Sequence, residues 1–259
     1  MSEDSLFLRK LERFVSFSDD ERALLKHHTR RTVQMPAKRE IASEGQDPQY
    51  VHLIVSGFAS RQKILEDGDR QIVAYLVPGD FCDLHVFILR EMDHAISTLT
   101  PCTVAQLDSD DIAILCERPA IAKALWWSTL VDQSILREWL VNVGRRSAEE
   151  RIAHLFCELM TRLRSVGLVD SENRFLLPVT QTELADTLGL TVVSVNRMIR
   201  NLRNQGMIAL EGKQIVVRDV ERLKAFSGFT DNYLHLDEKP PQRRGDRVAR
   251  EEARNLSSV

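Results

Sequence analysis

Three arginines and no acid share one short stretch, "TVVSVNRMIRNLR", residues 191–203. At helical spacing, Arg197, Arg200 and Arg203 fall on one side together with Val192, Val193, Ser194 and Asn196. Val195, Met198, Ile199 and Leu202 make the opposite, apolar side. A helix of this kind offers forked guanidinium donors, short hydrogen-bonding groups and methyls, the chemistry that reads base edges in a duplex. Arg197 suits the paired acceptors of guanine, Ser194 or Asn196 a base edge or phosphate, and Val192 or Val193 a thymine methyl. Arg200 and Arg203, further along, suit phosphates. Arginines at this spacing also decorate ordinary solvated helices, so the neighbouring residues decide.

Those neighbours form a specific frame. Thr180 and Glu183 spell a capping box, and Leu184, Ala185 and Leu188 give the helix it starts an apolar side. Gly189 is a C-terminal stop, and Thr191 caps the helix that follows. Two helices around a glycine turn predict a helix-turn-helix, whose second helix enters a major groove about 12 Å wide. "GMIALEGKQIVVRD" then predicts a hairpin wing turning at Glu211, Gly212 and Lys213, and Asp219 caps a closing helix. Thr180, Gln181 and Lys213 complete the candidate DNA-contacting set.

Upstream elements must position this reader. "PAIAKALWWSTLVDQSILREWLVNVGRR", residues 119–146, carries Pro at its start and no Gly before Gly144, which predicts one long helix. Some 25 residues at about 1.5 Å each span about 40 Å. Its apolar residues fill more than one stripe, so one side packs on its own domain and the other on a second copy. The expected dimer contacts are Leu125, Trp127, Val131, Ile135, Trp139 and Val143, the alternative being a helix central to a monomer's core. "SAEERIAHLFCELMTRLRSVG" predicts the next helix, capped by Ser147.

Before Pro119, Gly45, Gly57, Gly68 and Gly79 punctuate β-rich runs at intervals of eleven or twelve residues, which predicts a sandwich or small barrel. "EDGD", residues 66–69, reads as a hairpin turn, and two helices precede the strands. The expected divisions are 1–118, 119–146 and 147–230, with a flexible tail over 231–259 that is rich in Pro, Arg and Glu. The chain has 259 residues, a net charge of −3 and 43% hydrophobic residues, so any polyanion contact must be local. Cys82, Cys102, Cys116 and Cys157 form no CxxC pair, which predicts neither a metal site nor a disulfide framework. With no leader and no apolar stretch of spanning length, a cytoplasmic protein without membrane partners is expected. No G-x-S-x-G, P-loop or HExxH occurs, and Asp108, Asp110 and Asp111 read as a solvated strand-to-helix turn, so no catalytic residues are expected.

From about Phe7 to Phe226 the chain resembles the Crp/Fnr family of bacterial transcription regulators. "LIVSGFASRQKILEDGDRQIVAYLVPGDF" resembles that family's cyclic-nucleotide-binding β-roll, residues 119–146 its dimerisation helix, and Thr180 to Val217 its winged helix. The resemblance implies an α+β fold of double-stranded β-roll, long dimerisation helix and winged helix-turn-helix. It also implies a homodimer on a two-fold symmetric operator, RNA polymerase as a partner, and activation by family habit.

The departures matter as much. Family members that hold cyclic AMP follow Gly-Asp-Phe with Gly-Glu and then an Arg-Ser pair. Here Asp83 stands without Gly-Glu, and Met92-Asp93 occupies the Arg-Ser place, where an acid repels phosphate. Leu136 and Arg137 replace the Thr-Ser pair that meets the base, and Arg90 lies nearby in sequence. Cyclic AMP control is therefore not expected. The first cysteine is Cys82, which excludes the N-terminal iron–sulfur arrangement. Cys82 and His85 lie near where haem-binding members place ligands, without matching their spacing, so no haem is expected. Cys82, Asp83, His85, Arg90, Leu136 and Arg137 form the candidate pocket of the alternative, a small-molecule or haem-gated regulator. Val193 replaces a Glu that accepts from cytosine in many relatives, whereas Arg197 is retained.

Overall fold

A computed structural model describes residues 6–84, 88–89 and 91–236. Helices α1 (Leu6–Leu11) and α2 (Asp19–His28) lead into eight strands: β1 (Thr32–Met35), β2 (Glu40–Ala42), β3 (Val51–Ser56), β4 (Ala59–Ile64), β5 (Arg70–Leu76), β6 (Phe81–Cys82), β7 (Ala95–Thr98) and β8 (Cys102–Leu107). They pair antiparallel into two four-stranded sheets, ordered β1-β8-β3-β6 and β2-β7-β4-β5. Leu53, Ile54, Ile72, Ile96 and Leu107 on these strands are fully buried. The turn over residues 66–69 closes β4 onto β5 as expected, with Gly68 at a φ of 89°. Asp108 and Asp111 cap α3 (Ser109–Cys116) reciprocally, so the acidic cluster is a helix start.

The long helix is α4 (Pro119–Arg145), 27 residues with Pro in its first turn. Here the structure corrects the expected dimer set. Leu125, Trp127, Val131, Ile135 and Trp139 are buried in the chain's own core, and half-buried Val143 faces Gly189 of the reader. Trp127 stacks on Phe14 and Trp139 packs edge-on against Tyr75, so these large rings serve the intramolecular seam. The stripe left outside is Trp126, Leu130, Leu136, Leu140 and Val141, with Trp126 66% and Leu140 75% exposed.

Helix α5 (Ala148–Ser165) starts at the Ser147–Glu150 capping box. After it come β9 (Arg174–Leu176), α6 (Gln181–Leu188), α7 (Val192–Asn204), the β10–β11 wing (Ile208–Glu211, Gln214–Val217) and α8 (Val220–Ser227). β9 adds to β11, making a three-stranded sheet ordered β10-β11-β9. The tail begins later than expected. Residues Asn232–Leu234 form a 3₁₀ turn whose Tyr233 and Leu234 are buried, because the Tyr233 hydroxyl donates to the enclosed Glu158 at 2.9 Å. Residues 237–259 lie outside the described residues.

Two histidines stay neutral inside this packing. Burial lowers His52 to about 4, and burial followed by Arg146 lowers His154 to about 3. Above about pH 6.5 both are neutral in the folded and unfolded chain alike. As pH falls below that, the unfolded chain takes up protons that the fold refuses, so stability declines from about 6.5 toward about 4. His154 lies between Phe229 and Tyr233, so His154→Phe keeps a ring there while removing the titration. The unfolding temperature of His154→Phe should fall less between pH 7 and pH 5 than that of the parent. Parallel pH curves for the two proteins would contradict the assignment.

Candidate nucleic-acid interface and sensor pocket

The reader is built from local signals that the structure honours. Thr180 Oγ1 accepts from Glu183 N at 3.1 Å, and the Glu183 carboxylate accepts from Thr180 N at 2.6 Å. Gly189 ends α6 in the left-handed region at φ 61°. Thr191 Oγ1 then accepts from Ser194 N at 3.1 Å and starts α7. Val195, Met198, Ile199 and Leu202 are buried as expected.

The candidate contacts are brought together on the open side of α7. Val192, Val193, Asn196, Arg197, Arg200 and Arg203 are exposed, Val193 to 78%, and Ser194 is half-buried at the first turn. Among the described residues, no ion pair engages Arg197, Arg200 or Arg203, so three cations stand ready for an external anion. Asn196 folds back, its amide donating to Val192 O at 3.1 Å, and must turn outward to meet a base. Thr180 and Gln181 are exposed at the start of α6, and Lys213 is exposed in the wing turn.

The second feature is a cavity of about 330 Å³ between the β2-β7-β4-β5 sheet and α4. Arg61 dominates it. Its Nη2 donates to Asp132 on α4 at 2.9 Å and to the Phe81 carbonyl at 3.3 Å, while Nε lies 3.1 Å from Asp83 Oδ1. Burial works against the guanidinium charge, but Asp83 and Asp132 outweigh it and hold Arg61 protonated. His94 lies 3.2 Å from Asp83 and 2.5 Å from Asp93. Burial lowers its pKa, yet hydrogen bonding to those acids raises it overall, giving stability that is present at low pH and lost as pH climbs through the raised value.

Of the residues expected to line a pocket, Asp83 and Leu136 do so. Cys82 is buried away from the lining, and Arg137 points outward and donates to Ser134 at 2.8 Å. His85 and Arg90 lie outside the described residues. Sequence reading missed Arg61 and Asp132. They stand 71 positions apart, and no local pattern links them.

Comparison with known proteins follows the same two parts. The Crp-like helix-turn-helix domain matches residues 150–226, and the cyclic nucleotide-binding domain matches residues 32–119. The chain is 32% identical over 196 residues to the transcriptional activator protein FnrL of Cereibacter sphaeroides, covering 74% of this chain and 78% of that one. The chain belongs to the Crp/Fnr family of transcription regulators. This Crp/Fnr chain is also 29% identical over 201 residues to the nitrogen fixation regulation protein FixK of Bradyrhizobium diazoefficiens, covering 77% of this chain and 83% of that one. The solved structure of FixK2 from Bradyrhizobium japonicum matches with a TM-score of 0.69 at 26% identity, over 77% of this chain and 98% of that one. The expected fold class of this Crp/Fnr regulator is therefore the observed one, and α7 is the second helix of its Crp-like helix-turn-helix domain.

The glycine turn offers a direct check of the reader's frame. A Cβ built on Gly189 meets Val143 Cγ1 at 3.7 Å, an ordinary contact, so a substitution is penalised only by the left-handed backbone. Gly189→Ala should lower stability by about 1 kcal/mol, and Gly189→Asn by less, in denaturant unfolding. Equal losses would place the cost in packing instead.

Proposed function

We propose that the protein is a homodimeric transcription activator that docks two copies of α7 into the half-sites of a two-fold symmetric operator, without cyclic AMP. The carrying observation is the open face of α7, where Arg197, Arg200 and Arg203 are exposed and have no ion pair among the described residues. A second copy is supported by the exposed stripe of α4. Trp126, Leu130, Leu140 and Val141 follow a spacing that a parallel partner helix covers. Half-sites about one helical turn (34 Å) apart follow from a two-fold axis along α4. Activation, with RNA polymerase as the further partner, rests on relatives named as transcriptional activators. Among the described residues no helix is long and apolar enough to cross a membrane, and duplex DNA as partner fits a cytoplasmic site. The reading gives the chain no catalytic role.

The pocket does not suit a cyclic phosphate. Arg61 is already bonded to Asp132 and lies against Asp83, and Asp93 stands at the wall, so an entering phosphate meets carboxylates. The volume of the cavity and its reach onto α4 favour, as a second reading, gating by a different small molecule. Millimolar cyclic AMP should leave the unfolding temperature unchanged; a rise of several degrees would overturn this assignment.

Gel retardation on duplexes selected from a random pool tests the main reading. Arg197→Ala should weaken binding by about 1–3 kcal/mol and relax preference at one base pair per half-site. Val193→Glu should alter the preferred base beside that position, because a carboxylate accepts from cytosine and a valine cannot. Leu130→Glu with Leu140→Glu should give monomers by sedimentation and abolish the retarded band. A wild-type protein that is monomeric and retards no duplex at low salt would overturn the reading.

A further inference from the structure

The first helix of the reader is bonded to a strand of the sensor. Arg70 on β5 places Nε and Nη2 at 2.9 and 2.7 Å from Asp186 Oδ2 on α6. Gln71 donates to the Thr187 carbonyl at 3.1 Å. The Tyr75 hydroxyl lies 2.6 Å from Thr187 Oγ1 and 3.3 Å from the Glu183 carbonyl. Tyr75, Glu183 and Thr187 are buried, so this is a packed seam with its polar groups satisfied. The same Tyr75 ring packs edge-on against Trp139 of α4, with centroids 5.7 Å apart. The far end of α6 is also held, by Arg151 donating to the Leu188 carbonyl at 3.1 Å.

The seam uses one side of α6 and leaves the open side of α7 clear. Gly189 joins α6 to α7 through a tight turn with hydrogen bonds back to Ala185, so a displacement of α6 carries α7 with it. The distance between two reading helices in a dimer sets the half-site spacing that the dimer accepts. Whatever fixes α6 against the sensor and α4 therefore fixes that spacing.

We propose that Arg70 and Tyr75, residues of the sensor sheet, are positioning residues for operator recognition. Their bonds to Asp186, Thr187 and Glu183 clasp the helix-turn-helix at the height and angle that match one half-site spacing. The inference rests on the dimeric DNA-binding reading. It adds that spacing selectivity is written in β5, outside the reader itself. It also makes the reader preorganised, because a clasp closed by side chains of the same chain leaves little ordering for DNA to impose.

The test uses the full chain and the duplex selected by the wild-type protein, alongside duplexes with one base pair added or removed between the half-sites. Wild type should prefer the selected spacing by about tenfold or more. Arg70→Met with Tyr75→Phe should bind the selected duplex about five- to tenfold more weakly and lose most of the spacing preference, while still selecting the same half-site bases. Arg70→Asp combined with Asp186→Arg, which re-forms the ion pair in reverse, should recover part of the preference over Arg70→Asp alone. Unfolding temperature and sedimentation establish that each variant is folded and dimeric. If the double variant fails to fold, Arg70→Met decides alone, because Arg70 and Asp186 are only partly enclosed. Unchanged affinity and spacing preference would overturn the proposal, and so would tighter binding, which would make the seam an inhibitory contact. Wild type failing to bind any duplex sinks the dimeric reading and this inference together; wild type binding with indifferent variants sinks the inference alone.

Discussion

A guanidinium enclosed between two carboxylates ties the β-roll to α1, α4, α5 and the C-terminal turn. Arg162 on α5 donates to Asp80 at 2.7 Å, to Glu158 at 3.2 Å and to the Tyr75 carbonyl at 2.8 Å. Asp80 follows Pro78 and Gly79 between β5 and β6, and also receives Lys10 of α1 at 2.6 Å. Glu158 in turn accepts from Trp139 of α4 and Tyr233 of the C-terminal turn. Burial pushes the Glu158 carboxyl up despite Arg162, whereas Lys10 and Arg162 overcome burial and hold Asp80 below its usual range. Removing charges from water costs several kcal/mol per ion, and only nearly complete hydrogen bonding offsets it. The network is satisfied only where β5, the turn before β6, α4, α5 and the C-terminal turn meet as they do here.

The reader domain was the most legible part because its signals are short-range. A capping box, a glycine stop and alternating apolar runs each act within a few residues, and the structure places all three where the spacing puts them. The long helix shows the limit. Its existence follows from Pro119 and Gly144, but both sides of α4 are apolar, and composition does not say which meets its own sheet. Trp127 and Trp139 went inward against Phe14 and Tyr75 while Trp126 stayed outside, and those partners lie far away in sequence. Tyr233 was hidden for the same reason: the Glu158 acceptor, 75 positions earlier, and the His154 ring hold it in the core.

The pocket was legible by what it lacks and illegible by what it contains. The Met92-Asp93 pair pointed to this region from the sequence, and Asp93 stands at the cavity wall. Arg61 gave no such notice, since an arginine in a strand usually faces water. Its value here comes from Asp83 and Asp132, one from the roll and one from α4. The cavity thus carries its own cation and its own counter-charges, so the sensor and the long helix are already bridged by side chains.

The C-terminal turn has a consequence for where this protein can be cut. The similarity to the Crp-like helix-turn-helix domain ends at residue 226, yet Phe229, Tyr233 and Leu234 are seated in the core beyond it. Severing the chain at that boundary removes one of the three side chains that donate to the enclosed Glu158 and uncovers the His154 ring. The packing of the winged helix thus continues past that boundary to Leu234, in a turn that rests on α4.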